Sequence, residues 1–407
     1  LMSEQPKGWR LAIWLWPLLC AGVLSACGES PKTTATALAI RGVDLSMLER
    51  VEESGSTFSE GGQSADAMRI LQRNGANLVR LRLWVDPQDA SGKAYGGGNL
   101  DLPRVMRLAQ RAKALKLPWL LDLQYSDFWT DPGKQFKPRA WASLSDAALV
   151  KQVHDYSQQV LATLLQANLA PDYVQVGNEI NSGLLWPTGK NWADAGEQVG
   201  GFAMLAALLN AGIQGIRDAE QAAGGQHRSQ IILHLAKGAN SQTLGWWFEA
   251  MQPYKLAFDI LGLSYYPYWD GSLDALQQNI QTLSSRYDKP ILIVEPAYAF
   301  TTENGDRLGN NFGADSAASG GFPATPQGQQ QYLQALRKVL ASLPDGKGLG
   351  YVYWAPDWLR YGGTWATFAG MQYLHSGGNV GNAWENQALF DFNGEALPAI
   401  KELGATR

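Results

Sequence analysis

The chain has 407 residues, with 37 acidic against 33 basic side chains and a net charge of −4. Hydrophobic residues make up 45% of it and charged ones 17%, which excludes intrinsic disorder, and no basic stretch suits a nucleic-acid partner. Two cysteines cannot staple a small scaffold, so stability has to come from a large core.

Lys7 and Arg10 precede an apolar run from Leu11 to Leu24, short for a membrane span and interrupted by Pro17. The run ends in Leu24-Ser25-Ala26-Cys27, which is similar to a bacterial lipobox, where cleavage leaves the cysteine as a lipidated N-terminus. Residues 1–26 are therefore expected to be a lipoprotein signal peptide and 27–36 a short polar tether, with residues 37–407 folding as one exported domain anchored to a bacterial membrane through Cys27. An ordinary secretory signal with an incidental cysteine is the alternative.

Eight short, nearly continuous apolar runs follow, the pattern of parallel strands buried on both faces. They are Ala37–Val43, Asn77–Leu83, Pro118–Leu123, Tyr173–Val176, Gln230–Leu235, Ile260–Ser264, Ile291–Val294 and Leu349–Tyr353. Amphipathic stretches lie between them, among them Ser64–Asn74, Leu102–Leu117, Asp146–Ala167, Ala195–Ala223, Leu273–Tyr287 and Pro326–Leu343, with a tail helix near Leu397–Leu403. Strict alternation over eight units predicts an α/β fold, a single-domain (β/α)8 TIM barrel. A doubly wound open sheet competes, but no glycine-rich dinucleotide turn follows the first strand.

Barrel chemistry collects where strands end and loops begin. Those positions hold Asp44 after the first run, Arg80, Arg82 and Trp84 on the second, Asn178 and Glu179 after the fourth, and His234 on the fifth. Tyr265 and Trp269 follow the sixth, Glu295 the seventh and Trp354 the eighth. Glu179 and Glu295 face each other across the predicted mouth, an arrangement suited to glycoside hydrolysis by a proton donor and a nucleophile. Two solvated rim carboxylates in salt bridges are the plainer reading. Asn178 is placed to bond a sugar hydroxyl, Tyr265 to donate to Glu295, and Arg80 to lower its pKa. Arg82 points the same way, so one of the two arginines is expected to close a structural salt bridge. His234 is placed to tune or position Glu179, or to serve as a satisfied structural group. Trp84, Trp269 and Trp354 offer faces for stacking a sugar ring.

Longer segments carry a more specific signal. Arg41-Gly42-Val43-Asp44-Leu45-Ser46, Leu81-Arg82-Leu83-Trp84 and Tyr125-Ser126-Asp127-Phe128-Trp129-Thr130-Asp131-Pro132-Gly133-Lys134-Gln135 come first. Val174-Gln175-Val176-Gly177-Asn178-Glu179-Ile180-Asn181, Gly262-Leu263-Ser264-Tyr265-Tyr266-Pro267 and Trp384-Glu385-Asn386-Gln387-Ala388-Leu389-Phe390-Asp391 follow in order. Together they resemble glycoside hydrolase family 53, the arabinogalactan endo-β-1,4-galactanases. The resemblance implies a retaining endo-hydrolase of β-1,4-galactan side chains of pectin, with Glu179 as acid/base, Glu295 as nucleophile and no required cofactor. It also implies that Gln124, Asp270 and Ala355 stand where the family usually has His, His and Glu, positions that bear on specificity. Some bacterial members bind calcium near the segment Asn304–Gly321, where Asp306, Asn310, Asn311 and Asp315 offer oxygen donors, so a structural calcium is an open expectation. A monomer is expected. The alternatives are a barrel glycosidase acting on another β-1,4 glycan and a tethered, non-catalytic glycan-binding protein.

Overall fold

A strand covered by helices has two buried faces, and any sheet edge leaves backbone groups unpaired. The computed structural model, which describes residues 38–306, 308–360, 364–377 and 382–405, removes both edges by closing the sheet. Strands β1 (Ile40–Asp44), β2 (Leu78–Leu83), β3 (Trp119–Leu123), β4 (Tyr173–Val176), β5 (Gln230–Leu235), β6 (Ile260–Tyr265), β7 (Ile291–Pro296) and β8 (Gly348–Tyr353) form the barrel in chain order. Every pair is parallel, and β8 returns to β1 with Ile40 beside Gly350. The eight predicted runs and the eight strands coincide to within three residues at either end.

The helices differ more at their ends. The predicted start at Ser64 belongs instead to a small hairpin, Phe58–Glu60 against Gln63–Ala65, and the helix begins at Ala67, where the Asp66 side chain accepts the Arg69 amide. The helix expected from Ala195 begins at Gly201, because Gly196 and Gly201 take positive φ and hold the preceding segment in a loop. The tail Pro398–Leu403 forms a 3-10 helix. The expected signal peptide, Cys27 and the tether lie outside the described residues. Among the described residues no helix is long and apolar enough to cross a membrane.

Side chains alternate along a strand, so every second residue faces the barrel axis. The lower interior is an apolar layer of Ile40, Leu78, Leu120, Ile232, Ile260, Leu292, Val294 and Val352. Toward the C-terminal ends of the strands the interior turns polar: Asp44, Arg80, Asp122, Gln175, His234 and Ser264 are all buried there. Buried polar groups are costly unless bonded to one another. This layer is the floor on which the site stands.

Candidate active site

Glu295 reaches the mouth through a break in the ladder. Leu263 pairs with Ile293 but Ser264 pairs with Glu295, so Val294 is one residue too many on β7. A bulge of this kind re-aims the side chain that follows it. Val294 stays in the apolar layer, and Glu295 opens into a cleft of about 690 Å³. Its Oε1 lies 2.8 Å from Arg80 Nη2, and its Oε2 accepts the Tyr266 hydroxyl at 3.2 Å. Burial pushes the carboxyl pKa above its ordinary range, while the Arg80 and Tyr266 bonds pull the other way.

Arg80 serves three carboxylates at once. Nη1 donates to Asp44 Oδ2 and Nη2 to Asp122 Oδ2, each at 2.9 Å, in addition to the Glu295 contact. Burial disfavours the guanidinium charge, but Asp122, Glu295 and Asp44 more than restore it. Replacing this residue in Arg80→Met leaves the carboxylates without their cation inside the barrel. The expected cost is roughly 3–5 kcal/mol of stability, read from urea denaturation. A cost under about 1 kcal/mol would show the network to be dispensable.

Glu179 follows a tight turn at the end of β4. Gly177 has φ 81° and Glu179 itself φ 48°, a left-handed conformation that is uncommon outside glycine. The surroundings hold it there. Gln135 Nε2 donates to the carbonyls of Asn178 at 2.8 Å and Glu179 at 3.4 Å, and the Glu179 amide points at His234 Nδ1 at 3.4 Å. The carboxylate Oε1 accepts the Ser264 hydroxyl at 2.6 Å. Burial, and then the like charge of Glu295, raise the Glu179 pKa to about 8. Lys134, whose own charge is disfavoured by burial, pulls weakly in the opposite direction.

Asn178 lies beside Glu179 on the cleft wall, its Oδ1 3.1 Å from Arg80 Nη2 and its Nδ2 donating to the Thr130 carbonyl at 2.9 Å. His234 lies beneath them, fully buried, and burial followed by the nearby Arg80 hold its pKa well below the usual value. Trp269, 53% exposed, and Trp354 line the cleft.

Two expectations need correction. The hydroxyl on Glu295 belongs to Tyr266, because Tyr265 points away from the axis and donates to the Gly271 carbonyl at 2.8 Å. Counting in twos from the inward Ile260 through Gly262 and Ser264 reaches Tyr266, so strand parity carried this signal. Trp84 is fully buried, its Nε1 donating to Gln124 Oε1 at 2.7 Å, and Trp129 presents the ring in its place. Arg82 is the arginine that closes a structural salt bridge, as expected, with its Nη1 3.9 Å from Asp44 Oδ1. Its guanidinium lies 4.1 Å from the Trp129 ring centroid and donates to the Gly97 carbonyl at 2.6 Å, so it backs the cleft wall.

Reading strand ends also missed Trp384, which lines the cleft and packs 4.6 Å from Trp354, centroid to centroid. Of the three positions that set this chain apart from the family pattern, Gln124 and Asp270 line the cleft; Ala355 is buried with φ 49°. Burial pushes the Asp270 pKa up to about 6. Asp306 and Asn310 are engaged locally, with the Leu308 amide and Asn304 respectively, and Asp315 lies in the first turn of the helix Ala314–Ser319. Among the described residues no group of three or more His, Cys, Asp or Glu converges as a metal site.

The geometry thus offers two carboxyl groups in one aromatic-walled cleft, one held by a cation and one held protonated to about pH 8 by burial. Environments that push two carboxyls apart in this way mark an acid and its ionised partner. Comparison with known proteins agrees. The model of glycosyl hydrolase family 53 matches residues 40–403. An arabinogalactan endo-beta-1,4-galactanase of Cellvibrio japonicus is 37% identical over 372 residues, covering 88% of this chain and 89% of that protein. An endo-beta-1,4-galactanase of Bacillus subtilis is 32% identical over 383 residues, covering 89% and 84%. The solved family 53 catalytic domain of Ignisphaera aggregans superposes with a TM-score of 0.81 at 39% identity, covering 92% of this chain and 97% of that one. The chain belongs to glycosyl hydrolase family 53.

Proposed function

We propose that this protein is a retaining endo-hydrolase of β-1,4-linked galactan, in which Glu179 is the acid/base and Glu295 the nucleophile. One observation carries the reading: the two carboxyl groups share a cleft but not an environment. Glu295 has Arg80 and Tyr266 on its oxygens, whereas Glu179 has a serine hydroxyl and a raised pKa. The galactanase names of relatives at 37% and 32% identity support galactan as the polymer.

In the first step Glu179 gives its proton to the glycosidic oxygen as the bond to the anomeric carbon breaks. The Glu295 carboxylate bonds that carbon from the opposite face, and the leaving chain departs with a new hydroxyl. In the second step Glu179, now ionised, takes a proton from water. The water oxygen displaces Glu295, and the product keeps the β configuration. Trp129, Trp269, Trp354 and Trp384 supply faces for the apolar sides of the sugar rings. Asn178, beside Glu179 in the cleft, is assigned the hydroxyl next to the reacting carbon. Digestion of linear β-1,4-galactan, galactomannan and β-glucan side by side, with products sized over time, tests the substrate. Intermediate-length galactan fragments appearing early, with the other two polymers intact, is the expected result; cleavage of the others at an equal rate would overturn it.

The acid must be protonated, so kcat/KM falls as pH rises through about 8, the Glu179 value. The acid limb belongs to Glu295, which must be ionised, and lies above the ordinary carboxylate range because burial disfavours the charge. A pH profile of galactan hydrolysis reads both limbs. An alkaline limb below about pH 6 would contradict the assignment of the acid.

We also propose export and tethering through a lipid on Cys27, which rests on the lipobox-like Leu24-Ser25-Ala26-Cys27. Replacement in Cys27→Ala is expected to move the enzyme from the membrane to the soluble fraction of cells. Unchanged membrane association would remove the anchor.

A further inference from the structure

Ser264 and His234 form a buried chain behind the acid/base. Ser264 Oγ is 2.6 Å from Glu179 Oε1, and His234 Nε2 is 2.8 Å from Ser264 Oγ. The other nitrogen of the same ring, Nδ1, lies 3.4 Å from the Glu179 amide, 3.0 Å from Gln175 Nε2 and 3.0 Å from Asn178 Oδ1. One imidazole therefore touches Glu179 twice, at its backbone directly and at its carboxyl through a hydroxyl.

A hydroxyl has a single hydrogen to give. The short contact to Glu179 Oε1 takes it, so Ser264 Oγ must receive its own hydrogen bond from His234 Nε2–H. That leaves Nδ1 bare, to accept from the Glu179 amide and from Gln175; Asn178 Oδ1, also an acceptor, makes no hydrogen bond with the ring and is held beside it by Arg80 Nη2 at 3.1 Å. The Glu179 backbone needs such an anchor, because its left-handed φ of 48° is unfavourable for a residue with a side chain. No described residue bonds Glu179 Oε2, and the side chain lines the cleft.

We propose that His234, in its Nε2–H form, and Ser264 are positioning residues that reserve Glu179 Oε1 as an acceptor and confine the acid proton to Oε2, the oxygen facing the glycosidic bond. The inference rests on the acid/base role given to Glu179 above. Burial keeps His234 neutral, so the relay orients and does not itself supply the proton. The charged and titratable groups facing Glu179 are Glu295 from β7, Tyr266 and Asp270 beyond β6 and Lys134 from the loop after β3; Arg80 faces the histidine. None of these charges changes when Ser264 is altered.

The test uses Ser264→Ala and Ser264→Thr on two substrates. Galactan needs a proton on its leaving oxygen, whereas a dinitrophenyl β-galactobioside does not. In Ser264→Ala, kcat on galactan is expected to fall roughly ten- to a hundredfold, part of what an acid catalyst supplies. The loss on galactan exceeds the loss on the aryl substrate at least about tenfold. The alkaline limb of kcat/KM moves to higher pH, because a donor to the ionised form is gone. Ser264→Thr, which keeps the hydroxyl, recovers both. Equal losses on the two substrates with an unmoved limb would overturn the relay. Nitrogen NMR of the wild-type ring gives a second reading that needs no variant to fold. The protein has four histidines, which makes assignment of His234 tractable. A proton on Nε2 and a bare Nδ1 across the active pH range is the expected state, and a proton on Nδ1 would contradict it. Glu179→Gln separates the two ideas: if it retains wild-type turnover of galactan, the site reading fails, whereas an inactive Glu179→Gln beside an unmoved limb in Ser264→Ala sinks the relay alone.

Discussion

Glu295→Ala is expected to lower galactan turnover by at least about 10⁴-fold while the protein stays folded. The carboxylate it removes is the only group the proposed mechanism has for bonding the anomeric carbon. The fold survives because Arg80 keeps Asp44 and Asp122, each at 2.9 Å, so no charge is stranded inside the barrel. The vacated space next to that guanidinium suits a small anion. Azide placed there attacks the anomeric carbon of a dinitrophenyl β-galactobioside from the face Glu295 used. A carbon–nitrogen bond forms, the phenolate leaves, and the product is an α-galactosyl azide with inverted configuration. Full turnover in Glu295→Ala would remove the nucleophile from the mechanism, as would a β azide.

Glu179→Ala is the complementary case. Galactan hydrolysis falls about 10²–10⁴-fold, the usual contribution of a positioned proton donor. The dinitrophenyl substrate still forms the covalent intermediate, because its leaving group needs no proton. Without a base to activate water the intermediate persists, and azide captures it with the β configuration. The alkaline limb near pH 8 disappears, since the group that titrates there is gone. A Glu179→Ala enzyme that keeps that limb would mean another group holds the proton, and Asp270, which lines the same cleft, would be the first to examine.

The barrel was legible because buried parallel strands leave little choice of residue, and the eight apolar runs could be counted directly. The floor of the site was legible in part. A charged or polar residue inside an apolar run, such as Arg80, Asp122, Gln175 or His234, is costly without partners and so announces a network. Period two separates Tyr266 from Tyr265: both follow the same apolar run, and only the parity from Ile260 puts the Tyr266 hydroxyl on the axis. Glu295 obeys a different rule. It faces the mouth because a bulge at Val294 breaks the alternation, and nothing in Ile291-Leu292-Ile293-Val294-Glu295 signals that break. Trp84 and Trp129 show the same limit for loops. Both are large aromatic residues near a strand end, but only the path of the chain after β3 decides which ring is buried against Gln124 and which faces the cleft. Helix ends moved where side-chain caps and glycines outweighed the apolar period, as at Asp66 and Gly201.

In the proposed mechanism Glu295 bonds the sugar while Glu179 moves the proton, and trapping the covalent intermediate distinguishes the two roles. A galactobioside fluorinated beside the anomeric carbon, and carrying a dinitrophenyl leaving group, slows both steps but keeps the first feasible, so the glycosyl-enzyme accumulates. Mass spectrometry of the intact protein and of its peptides then locates the sugar. One glycosyl unit per chain, attached through the peptide that holds Glu295, is the expected result. A sugar attached elsewhere, or an enzyme that hydrolyses galactan and is never labelled, would contradict it.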